Sequence, residues 1–542
     1  MKTYTFFFIL ASLFVFTGQS IAQQKVAVHP GAESADSVPT GVGASAPVVL
    51  YGEISDFPAI ENINIRIFRY PIGDGRKDPT GNSFDITTRK GEILNGITPM
   101  YDRMFDLLVP DMDSPAFMTI SNENTVFMEN YLIEPGDSIK IRFDLRKNRV
   151  VFGGPAAPKF RCQQELEVLY YAQQLEKPVT PLFFTSQEIW NDPDGTVALQ
   201  NTSFGRKVIP LTKPETALES TLKQIQNWDD KPYQDIINRY RDQMGPVATE
   251  LLSTEYFAKT RYLTVYEFCR YFLPLAIKKG DLKLLDQHRQ LFENEMKNLF
   301  PKDNNLTAHS QQFIMLKEML LMAEANLSYA KITEIWERMD ADFFRDILIT
   351  KHLMEKFSTD PSDKLLLENS LDLLGDRGFH RLITEMYDKT SLGTTIPNFV
   401  MTDEKGLDFE LEQLRGKVVL IDFWFTGCGA CVQINKNFLS KADSLFQGQP
   451  GFKMVSVSAD KDRETWMKSV VSGRYSPKNA IHLIAEGGGE NDFLKDFGIN
   501  IFPYMMLLDQ QGKIIRSGIF NSTPKEFIQL ISDSIRDLKA IQ

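Results

Sequence analysis

Three patterns, met in succession, predict a multidomain chain with an N-terminal antiparallel β-sandwich, a central all-α domain and a C-terminal α/β domain. Apolar and polar residues alternate from Asn62 to Phe68, the period of a half-buried strand. From about Pro158 to Lys389 apolar residues recur at three- and four-residue steps instead, as in Phe313, Leu316, Met319, Leu320 and Ala323, the period of helices with one buried face. After Ile396 strand and helix signals mix, and the apolar run Val418-Val419-Leu420-Ile421 leads into a pair of cysteines. A chain of 542 residues is too long for one core, so several units of ordinary domain size are expected.

The first element is a segment expected to be removed. Lys2, an apolar run from Phe6 to Phe16 and the small residues around Ser20-Ile21-Ala22 form the three parts of a secretory signal, residues 1–22, with cleavage after Ala22. The run is shorter than the roughly 20 residues a spanning helix needs. No cysteine follows the cleavage site to carry a lipid, and no later stretch is long and apolar enough to span. The mature chain is therefore expected outside the cytoplasm, where disulfides persist.

Residues 47–157 form the expected β-sandwich domain. Tyr131-Leu132-Ile133 and Ser138-Ile139-Lys140-Ile141 read as strands flanking a tight turn at Glu134-Pro135-Gly136-Asp137. The expected helical domain covers 158–389. Its aromatic segment, Tyr256-Phe257, Tyr262, Tyr266, Phe268 and Tyr271-Phe272, reads as core stripe or ligand surface, and core is the commoner use of such a stripe. Cys162 and Cys269 fall in predicted helices, where either a structural disulfide or two buried thiols would fit. Ser391-Leu392-Gly393-Thr394-Thr395 is small and polar and reads as a linker.

Residues 396–542 form the expected α/β domain. Asn398–Glu410 reads as a hairpin turning at Asp403-Glu404-Lys405-Gly406, and Val418–Ile421 as a buried strand. A helix through Phe438, Ala442 and Leu445 follows, then a strand at Met454–Val457, a helix around Trp466 and a strand at Ile481–Ile484. A hairpin from Tyr504–Leu508 to Lys513–Ile519 and a helix from Pro524 to Leu538 close the chain. Gly487-Gly488-Gly489 lacks a phosphate-loop lysine and reads as a flexible loop.

The chemistry lies at Cys428-Gly429-Ala430-Cys431, where a strand gives way to a helix. A thiol at a helix N-terminus faces free amides and the positive end of the helix dipole, so its thiolate is stabilised. Cys428 is the expected nucleophile. Cys431, one turn in and more buried, is the expected resolving thiol. An isolated pair with this spacing also suits an inert thiol pair or half of a zinc site, but no second close pair exists to complete a metal shell. Asp422 is an acid inside an otherwise apolar strand. Burying a carboxylate costs several kcal/mol unless it is neutral, paired or hydrated, so Asp422 is either a proton carrier for Cys431 or a satisfied structural acid.

These residues resemble the thioredoxin superfamily, in particular its secreted TlpA/ResA-like branch. The resemblance rests on the order of Asp422-Phe423-Trp424, Cys428-Gly429-Ala430-Cys431, Gly498-Ile499, Phe502-Pro503, Leu507-Leu508-Asp509 and Gly512-Lys513, and covers about the last 147 residues. It implies a thioredoxin fold and a secreted, periplasmic thiol–disulfide oxidoreductase acting on disulfide-containing proteins and kept reduced by a membrane thiol electron donor. It also implies that Pro503 is a cis-proline facing the cysteines, where an ordinary trans proline opening a strand is the alternative. Phe502 would pair its backbone with an extended substrate, with Trp424, Gly429 and Ala430 completing the substrate side. The front of the chain, with Glu134-Pro135-Gly136-Asp137 and Val151-Phe152-Gly153-Gly154, resembles the β-domain fused to such redox domains.

Ala430 stands where thioredoxin has proline, and Gly427 where tryptophan usually precedes the first cysteine. Ile434 and Lys436 stand where the TlpA/ResA-like pattern has glutamate and proline, so the resemblance does not by itself imply the family's acid-dependent tuning or a role in cytochrome c maturation.

Composition removes other classes. The formal charge is −11, and −12 without residues 1–22, which opposes a surface built on phosphate contacts, so no nucleic-acid partner is expected. Six scattered histidines show no ligand spacing, so no metal is expected, and no cofactor beyond the redox-active disulfide. Two rival readings remain: a disulfide oxidant or isomerase, and an envelope binding protein whose front domains recognise a partner while the redox domain is secondary.

Overall fold

The computed structural model describes residues 45–176 and 221–541, apart from 56–59, 71, 73–80, 92–101, 123–124, 148, 270–272, 275–276, 278–279, 281, 297–305, 329–330, 355–360, 500–501, 519 and 521–522. The expected signal, residues 1–22, and Tyr271-Phe272 of the aromatic segment lie outside the described residues. The chain divides into two compact units, one holding most of the chain up to Ile335 and the other running from Trp336.

In the first unit the strands are β1 (Ala46–Ser55), β2 (Asn62–Phe68), β3 (Asn82–Thr87), β4 (Arg89–Lys90), β5 (Asp102–Met112), β6 (Ala116–Ser121), β7 (Val126–Ile133), β8 (Ser138–Asp144) and β9 (Arg149–Gly153). They form a five-stranded sheet in the order β4-β5-β1-β8-β9 and a four-stranded sheet in the order β3-β2-β6-β7. Alternation places Leu50, Phe105, Ile139 and Phe143 of the first sheet in one core with Ile63, Ile65 and Ile120 of the second. One pairing departs from the antiparallel expectation: β1 runs parallel to β8, with Leu50 opposite Ile139. These two strands are far apart in sequence, so no hairpin constrains their relative direction.

Among the described residues the longer helices of this unit are α1 (Ala157–Glu176), α2 (Lys231–Glu267), α3 (Leu282–Leu291) and α4 (Gln311–Ser328), with α2 broken at Gly245-Pro246. Cys162 and Leu166 of α1 and Tyr233, Ile237 and Leu251 of α2 share a core with Phe68, Phe117 and Leu132 of the four-stranded sheet. The helical segment expected over 158–389 is thus divided between the units at Ile335, because its first part has a sheet face to cover. Within the aromatic segment Tyr256 and Phe268 are core, while Phe257, Tyr262 and Tyr266 are half-buried. Cys162 and Cys269 are both buried and are not bonded to each other, and burial pushes the Cys162 thiol up to about 12.

The second unit opens with α5 (Phe343–Met354), α6 (Pro361–Leu371) and α7 (Arg377–Thr390). Its strands are β10 (Val400–Asp403), β11 (Asp408–Glu410), β12 (Val418–Trp424), β13 (Phe452–Ser458), β14 (Ile481–Ile484), β15 (Tyr504–Leu508) and β16 (Ile514–Gly518). Interleaved and following are α8 (Gly429–Ile434), α9 (Ser440–Phe446), α10 (Arg463–Ser472), α11 (Asp492–Asp496) and α12 (Pro524–Ile541). The seven strands lie in the order β11-β10-β14-β13-β12-β15-β16, a thioredoxin-like α/β sheet with the cysteine-bearing chain emerging from its buried centre. Along β12, Val419, Ile421 and Phe423 pack with Val455, Leu483 and Leu494, while Leu420 on the opposite face packs with Leu439, Ala442, Phe527 and Ile531.

The expected hairpin is β10-β11, where Asp403 Oδ1 accepts from Lys405 N and Leu407 N. Residues 391–395 do not hang free as a linker. Gly393 N donates to Ile514 O, Ile514 N to Thr394 O, and Ile396 N to Gly512 O, so this segment satisfies the outer edge of β16. Gly487–Gly489 is likewise an ordered turn rather than a free loop. Gly488 sits at φ +62°, where an added Cβ would lie 2.8 Å from Ala459 O.

Candidate active site

The site is built where β12 leaves the sheet. Phe425, Thr426 and Gly427 turn the chain, and Cys428 then caps a helical run of α8, one π-turn (Asn435–Leu439) and α9. Cys428 has an extended backbone, and its Sγ accepts from Cys431 N at 3.0 Å, as an N-cap oxygen would. A disulfide joins the two, with Cα atoms 5.3 Å apart. Cys428 is 6% exposed and Cys431 2%, so in this oxidised form exposure barely separates them and the helix terminus does. Gly429 and Ala430 between them are exposed.

The turn is held at each residue. Thr426 donates to Asp460 through its N (2.9 Å) and its Oγ1 (2.6 Å), and lies 2.7 Å from Ser469 Oγ. Ser458 Oγ donates to the same carboxylate at 2.9 Å. Gly427 adopts φ +104°, a backbone that L side chains rarely adopt, which accounts for glycine at this position, and its N donates to Tyr475 Oη at 3.1 Å. Asn435 of the π-turn donates to Gly473 O and Arg474 O, anchoring the segment that presents Tyr475.

Trp424 is placed differently from the substrate-side role expected of it. It is fully buried, stacks on Tyr475 with ring centroids 5.1 Å apart, and donates its indole N–H to Ser456 Oγ at 2.7 Å. Alternation along β12 turns it inward, so it supports the loop from beneath. It belongs to one apolar cluster with Cys428, Cys431, Trp466, Val470, Tyr475 and Ile484, against which the half-buried Phe502 packs. The Phe502–Pro503 peptide bond is cis. Phe502 meets Phe425 edge-on at 5.5 Å, and Phe425 is 39% exposed, so these rings give the dithiol an apolar margin open to solvent.

Asp422 shares the β12 face of Leu420 and Trp424 and is 1% exposed. Burial pushes its carboxyl up to about 8, opposed by a hydrogen bond from Ser456 at 3.5 Å. At neutral pH the protonated form of this acid therefore predominates. Sequence reasoning passed over Ser456, Asp460, Ser469 and Tyr475. A signal existed for the first of them: Ser456 and Ser458 alternate with the apolar Val455 and Val457, which marks a polar file on one buried face. Among the described residues no group of three or more histidines, cysteines and acids is gathered as a metal site, and no helix is long and apolar enough to cross a membrane.

Residues 391–528 match the family model described as Redoxin. The chain is 29% identical over 129 residues to a thiol-disulfide oxidoreductase ResA of Bacillus thuringiensis subsp. konkukian, covering 24% of this chain and 70% of that one. It is 25% identical over 175 residues to the ResA of Geobacillus thermodenitrificans, covering 30% and 90%. Among solved structures, the thioredoxin domain of a thiol-disulfide oxidoreductase from Bacteroides vulgatus is similar at 26% identity and a TM-score of 0.24, covering 27% of this chain and 97% of that one. A thiol:disulfide interchange protein from Bacteroides sp. is similar at 28% identity and a TM-score of 0.23, covering 26% and 88%.

Proposed function

We propose that this chain, whose C-terminal domain is a Redoxin domain of the TlpA/ResA-like thioredoxin type, is a thiol–disulfide oxidoreductase that works as a disulfide reductase through Cys428 and Cys431. The observation that carries the reading is a disulfide at the mouth of a helix, its first cysteine on a turn pinned by Asp460 and Tyr475 and its second one turn inside.

In the reduced enzyme the Cys428 thiolate attacks one sulfur of a substrate protein's disulfide. A Cys428–substrate bond forms, and the other substrate sulfur leaves as a thiolate and takes a proton. Cys431 then gives up its proton and attacks Cys428 Sγ. The Cys428–Cys431 bond closes, and the second substrate thiol is released. Two electrons pass from the dithiol to the substrate, and a membrane thiol donor returns them. Burial raises Asp422 to about 8, so the acid form predominates at pH 7; in the ionised fraction its carboxylate accepts the Cys431 proton, which then passes to the departing substrate thiolate. Gly429 and Ala430 are the exposed face on which substrate lies, and the backbone at Phe502 and Pro503 receives its extended strand.

The work is placed in the periplasm, with residues 1–22 as a signal cleaved after Ala22, and the two front sheets are read as a β-sandwich on the strength of their shared core. Insulin reduction by the full chain, together with equilibration against glutathione, tests the reading. A reductase should show a potential near about −270 mV rather than the about −120 mV of a strong oxidant. No turnover, or a potential at the oxidising end, would remove the assignment.

A further inference from the structure

We propose that Ser456 is a positioning residue for Asp422, held by Trp424, and that it ties the buried acid to the turn carrying Cys428. The inference rests on the reading of Cys428 and Cys431 as the redox centre. Asp422, Ser456 and His482 are register partners across β12, β13 and β14, and all three are buried. A hydroxyl has one proton and two lone pairs, whereas an indole N–H only donates. Because Trp424 fills a lone pair of Ser456 at 2.7 Å, the serine's own proton is left to point at Asp422 Oδ2, 3.5 Å away. Trp424 in turn lies flat on Tyr475, whose hydroxyl takes the Gly427 N–H. An unbroken file of contacts thus runs from the carboxyl to the residue before Cys428.

The groups around Asp422 leave this hydroxyl with little electrostatic competition. On β12 the same-face neighbours are Leu420 and Trp424 and on β15 the register partner is Met505; Leu439 and Ala442 of the helical run pack with Leu420 and Met505, and Cys431 clusters with Trp424. His482 lies one strand beyond Ser456, with Ser476 3.2 Å from its Nδ1, and burial lowers its pKa, which keeps it neutral. A donated hydrogen bond favours the ionised acid, while burial favours the neutral one. The 3.5 Å contact is long for a hydrogen bond and has room to tighten when Asp422 is ionised, the form in which it can accept the proton of Cys431.

The test is the protonation of Asp422 in the full chain, followed as an infrared carboxyl band assigned by its loss in Asp422→Asn. Ser456→Ala should move the midpoint up by about one unit and slow release of the mixed disulfide at pH 7 about five- to tenfold, with the first attack by Cys428 unchanged. Ser456→Thr, which keeps a hydroxyl, should restore the midpoint. A purely structural loss would admit water beside the carboxyl and lower the midpoint, so a fall or an unchanged midpoint in Ser456→Ala would overturn the proposal. Turnover in Cys428→Ser reports separately on the redox reading, since the infrared midpoint does not depend on it.

Discussion

Tyr475 lies flat against Trp424, the ring planes 4° apart, and from that position its hydroxyl accepts the N–H of Gly427. A residue in the loop after α10 therefore governs the backbone that introduces the nucleophile. The two interactions can be separated. Tyr475→Phe keeps the stack and loses the hydrogen bond, and should cost about 1 kcal/mol of stability. Tyr475→Ala loses the ring as well and should cost about 3–5 kcal/mol, as for a buried aromatic. Thermal unfolding gives both values, and equal losses in the two variants would show that the stack contributes nothing.

Asp460 should matter as much, from the other side of the turn. Asp460→Ala removes the acceptor shared by Thr426 N, Thr426 Oγ1 and Ser458 Oγ. Stability should fall by about 1–3 kcal/mol, with a slower attack by Cys428 because its turn is no longer held. Wild-type attack rates in a folded Asp460→Ala protein would make this network irrelevant to chemistry.

Gly488→Ala carries two penalties at once, a left-handed backbone and a Cβ placed 2.8 Å from Ala459 O. A loss of about 1–3 kcal/mol is expected. The displaced Ala459 also adjoins Asp460, so reduction of substrate should slow in parallel. A variant as stable as the wild type would mean that this turn relaxes freely.

The dithiol itself gives the sharpest kinetic outcome. In the reduced protein, iodoacetamide at mildly acidic pH should label Cys428 before Cys431, since the helix terminus stabilises its thiolate. Cys428→Ser should abolish reduction, and Cys431→Ser should accumulate mixed disulfide. Faster labelling of Cys431 would exchange the two roles.

Asp422 links activity to stability through pH. Its folded-state value is raised from 3.8 to about 8, so between those values the folded chain binds a proton that the unfolded chain has lost. Stability contributed by this group therefore falls as pH rises from about 4 to about 8, then levels off. Asp422→Asn, which cannot ionise, should gain on the wild type over that window while slowing mixed-disulfide release by about 10²- to 10⁴-fold. Denaturation midpoints of the two proteins that run parallel from pH 4 to pH 8 would place the acid in a polar, relaxed site.

Much of the site is legible in the sequence because its signals are local. Val418–Ile421 is apolar enough to mark a buried strand, Cys428 and Cys431 stand one helical turn apart, and Asp422 is conspicuous among its neighbours. Hairpins are legible for the same reason, since Asp403 and Gly406 make their turn within a few residues. The division of the helical region is not legible. Nothing in the periodicity of α1 and α2 says that their apolar faces cover Phe68, Phe117 and Leu132, because a helix shows the same stripe whatever it packs on.

By itself the sequence determined which segments are strands and helices near the cysteines, where the dithiol stands, and that an acid lies in the strand before it. Only the tertiary structure decided what touches these residues. Strand order brings Ser456 beside Asp422 and turns Trp424 inward, and the loop after α10 returns Tyr475 to Gly427 across 48 residues. Periodicity is written over a few neighbouring residues, whereas register and strand order are settled by burying two sheet faces at once and pairing every buried polar group, a condition on the whole domain that no short segment contains.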